Sequence, residues 1–185
     1  LYGYGGNDYL VGGNGTDYIY GGEGDDILFG GGGIDNLEGG AGDDILEGGT
    51  GDDRLTGGEG NDTYIFRAGD GKDTIANIDN SIGDDLLKLE GFNPEDLWFK
   101  KSGYHLIISM AGSQDSVTVN NWYTNDFHKI GTIETEGATL IYDQVGQMVQ
   151  AMATLGAPGG SGGNWTAEQR EGLAPIISAY LQPKF

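Results

Sequence analysis

A nine-residue repeat is the feature that most constrains how this chain can fold. Seven consecutive nonapeptides run from Gly3 to Ile65. Each copy has aspartate at its sixth position, a large apolar or aromatic residue at its eighth, and glycine at its first and fourth. The pattern G-G-x-G-x-D-x-U-x is typical of a calcium-loaded parallel β-roll. A disordered glycine-rich linker would have no reason to keep such a register.

The repeat predicts both the strands and the turns of an all-β fold. The x-U-x tripeptide is read as a short strand whose central side chain points inward, and the G-G-x-G-x-D hexapeptide as the turn. Two nonapeptides make one coil, so alternate strands stack at a spacing of about 4.8 Å. We predict a parallel β-roll over residues 1–90. Its inward residues are Leu10, Ile19, Leu28, Leu37, Leu46, Leu55 and Tyr64.

This stacking brings the position-six aspartates into two columns. One column contains Asp8, Asp26, Asp44 and Asp62, and the other contains Asp17, Asp35 and Asp53. Carboxylates a few ångströms apart repel each other, and a divalent cation between each stacked pair relieves that repulsion. All available ligands are oxygens, and carbonyls in a flexible glycine turn favour Ca²⁺ over Mg²⁺.

Backbone carbonyls complete the predicted calcium ligands. They are expected from Gly13, Gly15, Gly21, Gly22, Gly24, Gly30, Gly31, Gly33, Gly39, Gly40, Gly42, Gly48, Gly49, Gly51, Gly57, Gly58 and Gly60. Seven loops that pair with the loop two repeats on give 7 − 2 = 5 complete sites. Asp73 and Asp85 follow longer, degenerate loops and are further candidate ligands, or else belong to ordinary turns with solvated acids. Ile34 departs from the usual composition of position five, but only a carbonyl is needed there.

Calcium is expected to be a condition of folding. The seven inward residues bury too little apolar area to offset the entropy of ordering about 60 backbone residues. We therefore expect the roll to be unfolded without metal and folded at millimolar calcium.

After the repeats, the nine-residue period gives way to short apolar or alternating runs. Residues 91–142 contain four or five short apolar or alternating runs, which predict an antiparallel β region that caps the open end of the roll. Residues 143–156 predict a helix from about Gln144 to Leu155, with Asp143 as its N-cap. The aromatic residues expected to plug the roll are Trp98, Phe99, Trp122, Tyr123 and Phe127.

The last segment, residues 157–185, is read as a flexible linker followed by an amphipathic tail. The linker is the APGGSGG stretch, and Thr166 with Gln169 predicts a capping box at the start of a helix. Pro175 interrupts that helix, so we expect it to be marginal and accessible.

Composition excludes several classes of function. A formal charge of −20 argues against nucleic acid and anionic membrane surfaces as partners. The chain has no cysteine and no transmembrane segment. His105 and His128 have no companion that suggests a metal or nucleophile, and no catalytic motif stands apart from the repeat acids. We therefore predict a protein that is not an enzyme.

The repeats resemble those of the RTX (repeats-in-toxin) family of secreted bacterial proteins. The residues after them resemble the block that flanks the last RTX repeats of adenylate cyclase toxins. The resemblance implies a calcium-bound β-roll, an extracellular location, and export by type I secretion machinery that reads the C-terminal tail. Because the repeat pattern is already running at residue 1, we interpret the chain as a module of a larger exported protein. We expect the module to be monomeric.

An alternative belongs to a different functional class. The roll and cap could form an adhesion module that binds a receptor or a glycan, as in RTX adhesins or polysaccharide-acting enzymes. Exposed aromatic residues on one face would be expected, and the candidates are Tyr9, Tyr18, Tyr20 and Phe29.

Overall fold

The structure, a computed structural model, describes residues 1–78, 85–158 and 164–183. These residues form sixteen strands in two sheets, together with two α-helices and two short 3₁₀ helices. The first ten strands are β1 (Tyr2–Gly5), β2 (Tyr9–Asn14), β3 (Tyr18–Glu23), β4 (Ile27–Gly32), β5 (Asn36–Ala41), β6 (Ile45–Thr50), β7 (Arg54–Glu59), β8 (Thr63–Arg67), β9 (Lys72–Ile75) and β10 (Leu86–Glu90). The others are β11 (Leu97–Ser102), β12 (His105–Met110), β13 (Ser116–Val119), β14 (Thr132–Thr135), β15 (Ala138–Ile141) and β16 (Gln182–Pro183).

Successive strands of the repeat region alternate between the two sheets, which confirms the predicted β-roll. Sheet A has the strand order β1-β3-β5-β7-β9-β13-β12-β11, and sheet B has the order β16-β15-β14-β10-β8-β6-β4-β2. The repeat strands pair in parallel with a register of one 18-residue coil, as in Leu28 with Leu46 and Gly31 with Gly49.

The strands are longer than the predicted tripeptides. Strand β4, for example, covers positions seven to nine of one repeat and positions one to three of the next. The reason is that the parallel ladder continues through the glycines, where Gly22 pairs with Gly40. The turn is therefore limited to positions four to six.

The inward side chains form one continuous stack. In the regular repeats its fully enclosed members are Ile19, Leu28, Leu37, Leu46, Leu55 and Tyr64, and Ile75 and Leu87 continue the stack. Leu10, in the first complete coil, is only partly buried because no further coil covers it in this structure. Burial of each such side chain contributes about 1.5–3 kcal/mol.

The region after the repeats prolongs both sheets of the roll. Strand β13 pairs in parallel with β9, and β14 pairs in parallel with β10. The predicted antiparallel pairing is found farther out, in β11–β12–β13 and β14–β15. The hydrophobic core consequently runs without interruption from the roll into this C-terminal region.

The aromatic plug is present except for one member. Trp98, Phe99 and Trp122 are buried, and Tyr123 packs against the core while partly exposed. Phe127 is 43% exposed, because it lies in the 3₁₀ helix Asp126–His128 at the surface. The prediction for Phe127 was wrong.

Helix α1 (Tyr142–Ala153) begins two residues earlier than predicted. Strand β15 continues to Ile141 and the helix follows at once, so Asp143 lies in the first turn and is not the N-cap. The buried face of α1 consists of Val145, Met148 and Met152.

Helix α2 (Ala167–Tyr180) carries the predicted capping box between Thr166 and Gln169. It is docked in the structure, contrary to the expected accessible helix. Leu173 is fully buried, and the ring of Trp165 packs edge-on against Trp98 at 5.3 Å between centroids. Tertiary packing therefore compensates for Pro175 inside the helix. In the described part of the chain, neither helix has the length and apolarity needed to cross a bilayer.

Candidate metal centre

The position-six aspartates lie at the start of the strands, in two columns at opposite edges of the roll. The sheet-B column contains Asp8, Asp26, Asp44, Asp62 and Asp85, and the sheet-A column contains Asp17, Asp35, Asp53 and Asp73. All of them except Asp8 and Asp17, in the first coil, are at most 2% exposed. The fold therefore removes a row of carboxylates from water.

A hydrogen-bond ladder connects each aspartate to the next member of its column. In the sheet-B column, the backbone N–H of Asp26 donates to Oδ1 of Asp44 at 2.8 Å, and that of Asp44 donates to Oδ1 of Asp62 at 3.0 Å. In the sheet-A column, the N–H of Asp35 donates to Oδ1 of Asp53 at 2.7 Å. This ladder was not predicted from the sequence, and it orients each carboxylate with its second oxygen turned inward.

That second oxygen is the chemically unusual atom of the site. Oδ2 is buried without a hydrogen-bond donor in a set that includes Asp8, Asp17, Asp26, Asp35, Asp44, Asp53 and Asp73. A buried anionic oxygen without a partner is strongly unfavourable unless a cation or proton neutralises it. A hard cation would meet that requirement along both columns.

The pKa values report the same penalty. Desolvation raises the pKa of Asp44 and of Asp53 to about 6 and that of Asp73 to about 8. Desolvation also raises the pKa of Asp35, and repulsion from the preceding aspartate of the column adds to the effect in all four. The column carboxylates are therefore stabilised by a bound proton or cation.

Glycine at position one leaves room for oxygens to converge. A Cβ placed on Gly30 would lie 2.5 Å from Oδ2 of Asp35 and 2.5 Å from the carbonyl oxygen of Gly48. The equivalent space at Gly21 is bordered by Oδ2 of Asp26 and the carbonyl of Gly39. A carboxylate and a carbonyl thus face one small space that any larger residue would fill.

Glycines at positions two and four turn their carbonyls toward the following coil. Gly22 and Gly24 have φ of +122° and +114°, and their carbonyl oxygens occupy the space that a Cβ on Gly40 or Gly42 would take. The position-one carbonyls face the preceding coil, as Gly48 does toward Gly30. This alternation presents oxygens from both coils to the space between them.

Ile34 and the two histidines singled out in the sequence are not part of the columns. Ile34 is 61% exposed, so it points to solvent and leaves the Asp35 ladder intact. The backbone N–H of Asn121 donates to Nδ1 of His105, and the ring of His128 contacts the carbonyl of Asn77, so both histidines have structural partners. Within the described residues, no three acidic or histidine side chains converge on one point, so any cation here must draw on backbone carbonyls.

The two degenerate loops extend the columns. The N–H of Asp53 donates to Oδ1 of Asp73 at 3.0 Å, and the N–H of Asp62 donates to Oδ1 of Asp85 at 2.8 Å. Residues 79–84, which precede Asp85, lie outside the described residues.

Sequence reasoning missed one buried acid near these loops. Asp70 is 6% exposed, desolvation raises its pKa to about 6, and its Oδ2 accepts a hydrogen bond from the N–H of Arg67 at 2.6 Å. It closes the turn between β8 and β9. Because it occupies the variable position three, the repeat pattern gave no signal for it.

Comparison with known proteins matches both the repeats and the region after them to calcium-binding sequence families. Residues 2–37 and 29–64 match the RTX calcium-binding nonapeptide repeat, and residues 105–141 match the haemolysin-type calcium-binding protein related domain. The chain is 36% identical over 117 residues to the iron-regulated protein FrpA of Neisseria meningitidis serogroup C, a match that covers 59% of this chain and 10% of that protein. The AlgE6R3 subunit of the Azotobacter vinelandii mannuronan C5-epimerase shares 27% identity at a TM-score of 0.44, over 58% of this chain and 71% of that one.

Proposed function

Because this chain belongs to the RTX family of calcium-binding repeat proteins, we propose that it is the calcium-dependent folding module of a larger exported bacterial protein, such as a toxin. The observation that carries the proposal is the row of buried Oδ2 atoms without hydrogen-bond donors along both columns. Without a cation these oxygens oppose folding, and with one they hold successive coils together.

The ligands are oxygens from two stacked loops. Asp8, Asp17, Asp26, Asp35, Asp44, Asp53 and Asp62 supply carboxylates, and the loop glycines at positions one, two and four supply carbonyls. Five ions lie between the seven regular loops, and a sixth lies between Asp53 and Asp73, whose ladder continues the sheet-A column. Asp85 continues the other column, but the loop before it falls outside the described residues.

The calcium concentration determines whether the proposed module is folded inside or outside the cell. At an extracellular-type affinity of about 10⁻⁴ M, millimolar calcium contributes about 1.4 kcal/mol per ion, whereas cytosolic calcium contributes almost nothing. The module therefore stays unfolded inside the cell and folds after type I export. The C-terminal tail is available to the exporter while the chain is unfolded, and α2 docks when the chain folds.

Calcium titration tests the proposal directly. Circular dichroism should show little β structure in chelator and a cooperative gain at millimolar calcium, and calorimetry should count about six ions per chain. Magnesium at equal concentration should have little effect, because it needs a smaller and more rigid site. A chain that is equally folded in chelator would refute the proposed dependence on calcium.

A second candidate role is favoured by the outer face of sheet A near the start of the roll. The exposed rings of Tyr2, Tyr4 and Tyr20 lie together, with centroids 6.0 Å apart for Tyr2–Tyr4 and 6.2 Å apart for Tyr2–Tyr20. Tyr9 and Phe29 belong to sheet B, so the aromatic set predicted from the sequence is divided between two faces. Flat clusters of exposed aromatic rings suit sugar rings, which supports glycan or receptor adhesion as the alternative function.

Binding of defined oligosaccharides distinguishes this role. Calorimetry with a neutral and a uronic-acid hexasaccharide, in saturating calcium, should show binding that is lost when Tyr2 and Tyr20 are both replaced by alanine. Tyr104→Ala is the control, because Tyr104 is about as exposed as Tyr2 but lies in the β11–β12 turn. Absence of binding to both sugars, or equal loss in the control, counts against glycan recognition.

A further inference from the structure

A buried polar network closes the sheet-B column at its C-terminal end. Asn77 lies just beyond β9 and is 1% exposed. Its side-chain Nδ2 donates to Oδ2 of Asp85 at 2.6 Å and to the carbonyl oxygen of Lys129 at 3.3 Å. Its Oδ1 accepts a hydrogen bond from the hydroxyl of Tyr64 at 2.9 Å.

The neighbours determine which way this amide faces. An ionised carboxylate and a backbone carbonyl can only accept hydrogen bonds, so the NH₂ group must be turned toward Asp85 and Lys129. The Tyr64 hydroxyl then donates to Asn77 while it accepts from the backbone N–H of Gly57 at 2.9 Å. Donors and acceptors are therefore matched along the whole network.

Asp85 differs in its second carboxylate oxygen from Asp26 and Asp44 in the same column. At Asp26 and Asp44, the second carboxylate oxygen is buried without a hydrogen-bond donor. At Asp85, the same oxygen receives the amide of Asn77, which supplies a fixed partial positive charge. At the last carboxylate of the sheet-B column, the neutral Asn77 amide therefore supplies the hydrogen-bond donor.

The network also reaches into the C-terminal region. The ring of His128 lies 2.8 Å through Nδ1 from the carbonyl oxygen of Asn77, and Lys129 is the next residue. On the other side, the Tyr64 hydroxyl accepts from Gly57, the first residue of the repeat that carries Asp62. One contiguous set of hydrogen bonds therefore connects a metal-binding loop with the segment that precedes β14.

We propose that the Asn77 amide takes the place of a calcium ion at the end of the sheet-B column and couples the order of the Asp62 loop to that of residues 126–130. The inference rests on the proposed calcium function. Asn77 is a positioning residue: it holds Asp85 and Tyr64 in place and binds no ion itself.

Tryptophan emission reports the folding of the C-terminal region, and calcium binding reports the ordering of the repeat loops. All three tryptophans, Trp98, Trp122 and Trp165, lie in the C-terminal region, and the proposed ligands all lie before it. In the wild-type chain, the calcium midpoint of tryptophan emission should coincide with the midpoint of calcium binding measured by equilibrium dialysis.

Two variants should separate these midpoints. Tyr64→Phe keeps the buried ring and removes the hydroxyl, and Asn77→Leu removes the amide. In both, the emission midpoint should move to at least twofold higher calcium than the binding midpoint. Tyr104→Phe removes an exposed hydroxyl and should leave both midpoints unchanged. Midpoints that still coincide in both variants would overturn the coupling.

A third variant tests the substitution of an ion by an amide. Asn77→Asp places a second carboxylate against Asp85, so the chain should bind one calcium ion more than the wild type. A variant that binds no additional ion, whether folded or not, overturns that part of the inference. If the wild-type chain bound no calcium, the proposed function itself would fail, whereas unchanged variants of a calcium-binding wild type refute this inference alone.

Discussion

Replacement of Asp44 by asparagine should remove the stabilisation contributed by two ions. Asp44 lies in the middle of the sheet-B column: its Oδ1 accepts from Asp26 at 2.8 Å, and its N–H donates to Asp62 at 3.0 Å. It is therefore a member of two stacked pairs. Asparagine keeps the size of the side chain and removes its charge.

The magnitude follows from the number of pairs. At 1 mM calcium and an affinity of about 10⁻⁴ M, each ion contributes about 1.4 kcal/mol, so the loss of two ions lowers the free energy of unfolding by about 3 kcal/mol. Glu38→Gln removes the same charge from an exposed outward position, and its effect should stay within about 0.5 kcal/mol.

Urea unfolding followed by circular dichroism at several calcium concentrations measures this difference. The slope of the free energy of unfolding against the logarithm of calcium concentration gives the number of ions linked to folding, and it should fall by about two in Asp44→Asn. If the two variants lose equal stability and keep equal slopes, the buried carboxylates are not calcium ligands.

Three further predictions concern protons, glycine and the C-terminal region. In calcium-free solution the folded pKa values of Asp73 (about 8), Asp44 and Asp53 (about 6) exceed the ordinary 3.8, so stability should rise as pH falls from about 8 toward 4; a fall in β structure on acidification would contradict this. Gly40→Ala should destabilise the roll by more than 1 kcal/mol, since φ is +124° and the new Cβ would overlap the carbonyl of Gly22 in the preceding coil, whereas Gly146→Ala in α1 should stabilise by about 0.5–1 kcal/mol; thermal unfolding in calcium compares them. Deletion of residues 91–155 should leave calcium titrations flat by circular dichroism, and repeats that still fold alone would show that the roll needs no C-terminal nucleus.

The repeat made the roll and its columns predictable from sequence. A strict nine-residue period places Asp26 and Asp44 one coil apart and turns Leu28 and Leu46 inward, and the structure has both arrangements. The hydrogen-bond ladder was missed, because which oxygen of Asp44 meets a backbone N–H depends on the side-chain rotamer.

Features outside the repeat were predicted less well. The parallel pairing of β13 with β9 joins residues far apart in sequence, with no period to reveal it. Pro175 suggested a marginal helix, but packing of α2 on the core outweighs local propensity. Asn77 stands where the next repeat would begin with glycine, and that replacement was the available signal for its special role.

Both sheets continue from the C-terminal hairpins into the coils of the roll, and this continuity affects the order in which the parts can fold. Hairpins β11–β12–β13 and β14–β15 join neighbouring segments of chain, so they can form early. Once formed, β13 and β14 offer one free parallel edge per sheet, on which β9 and β10 and then each earlier coil can add. If the proposed export delivers the C-terminus first, the coils would form in the reverse order of synthesis, and each coil would add to one that is already folded.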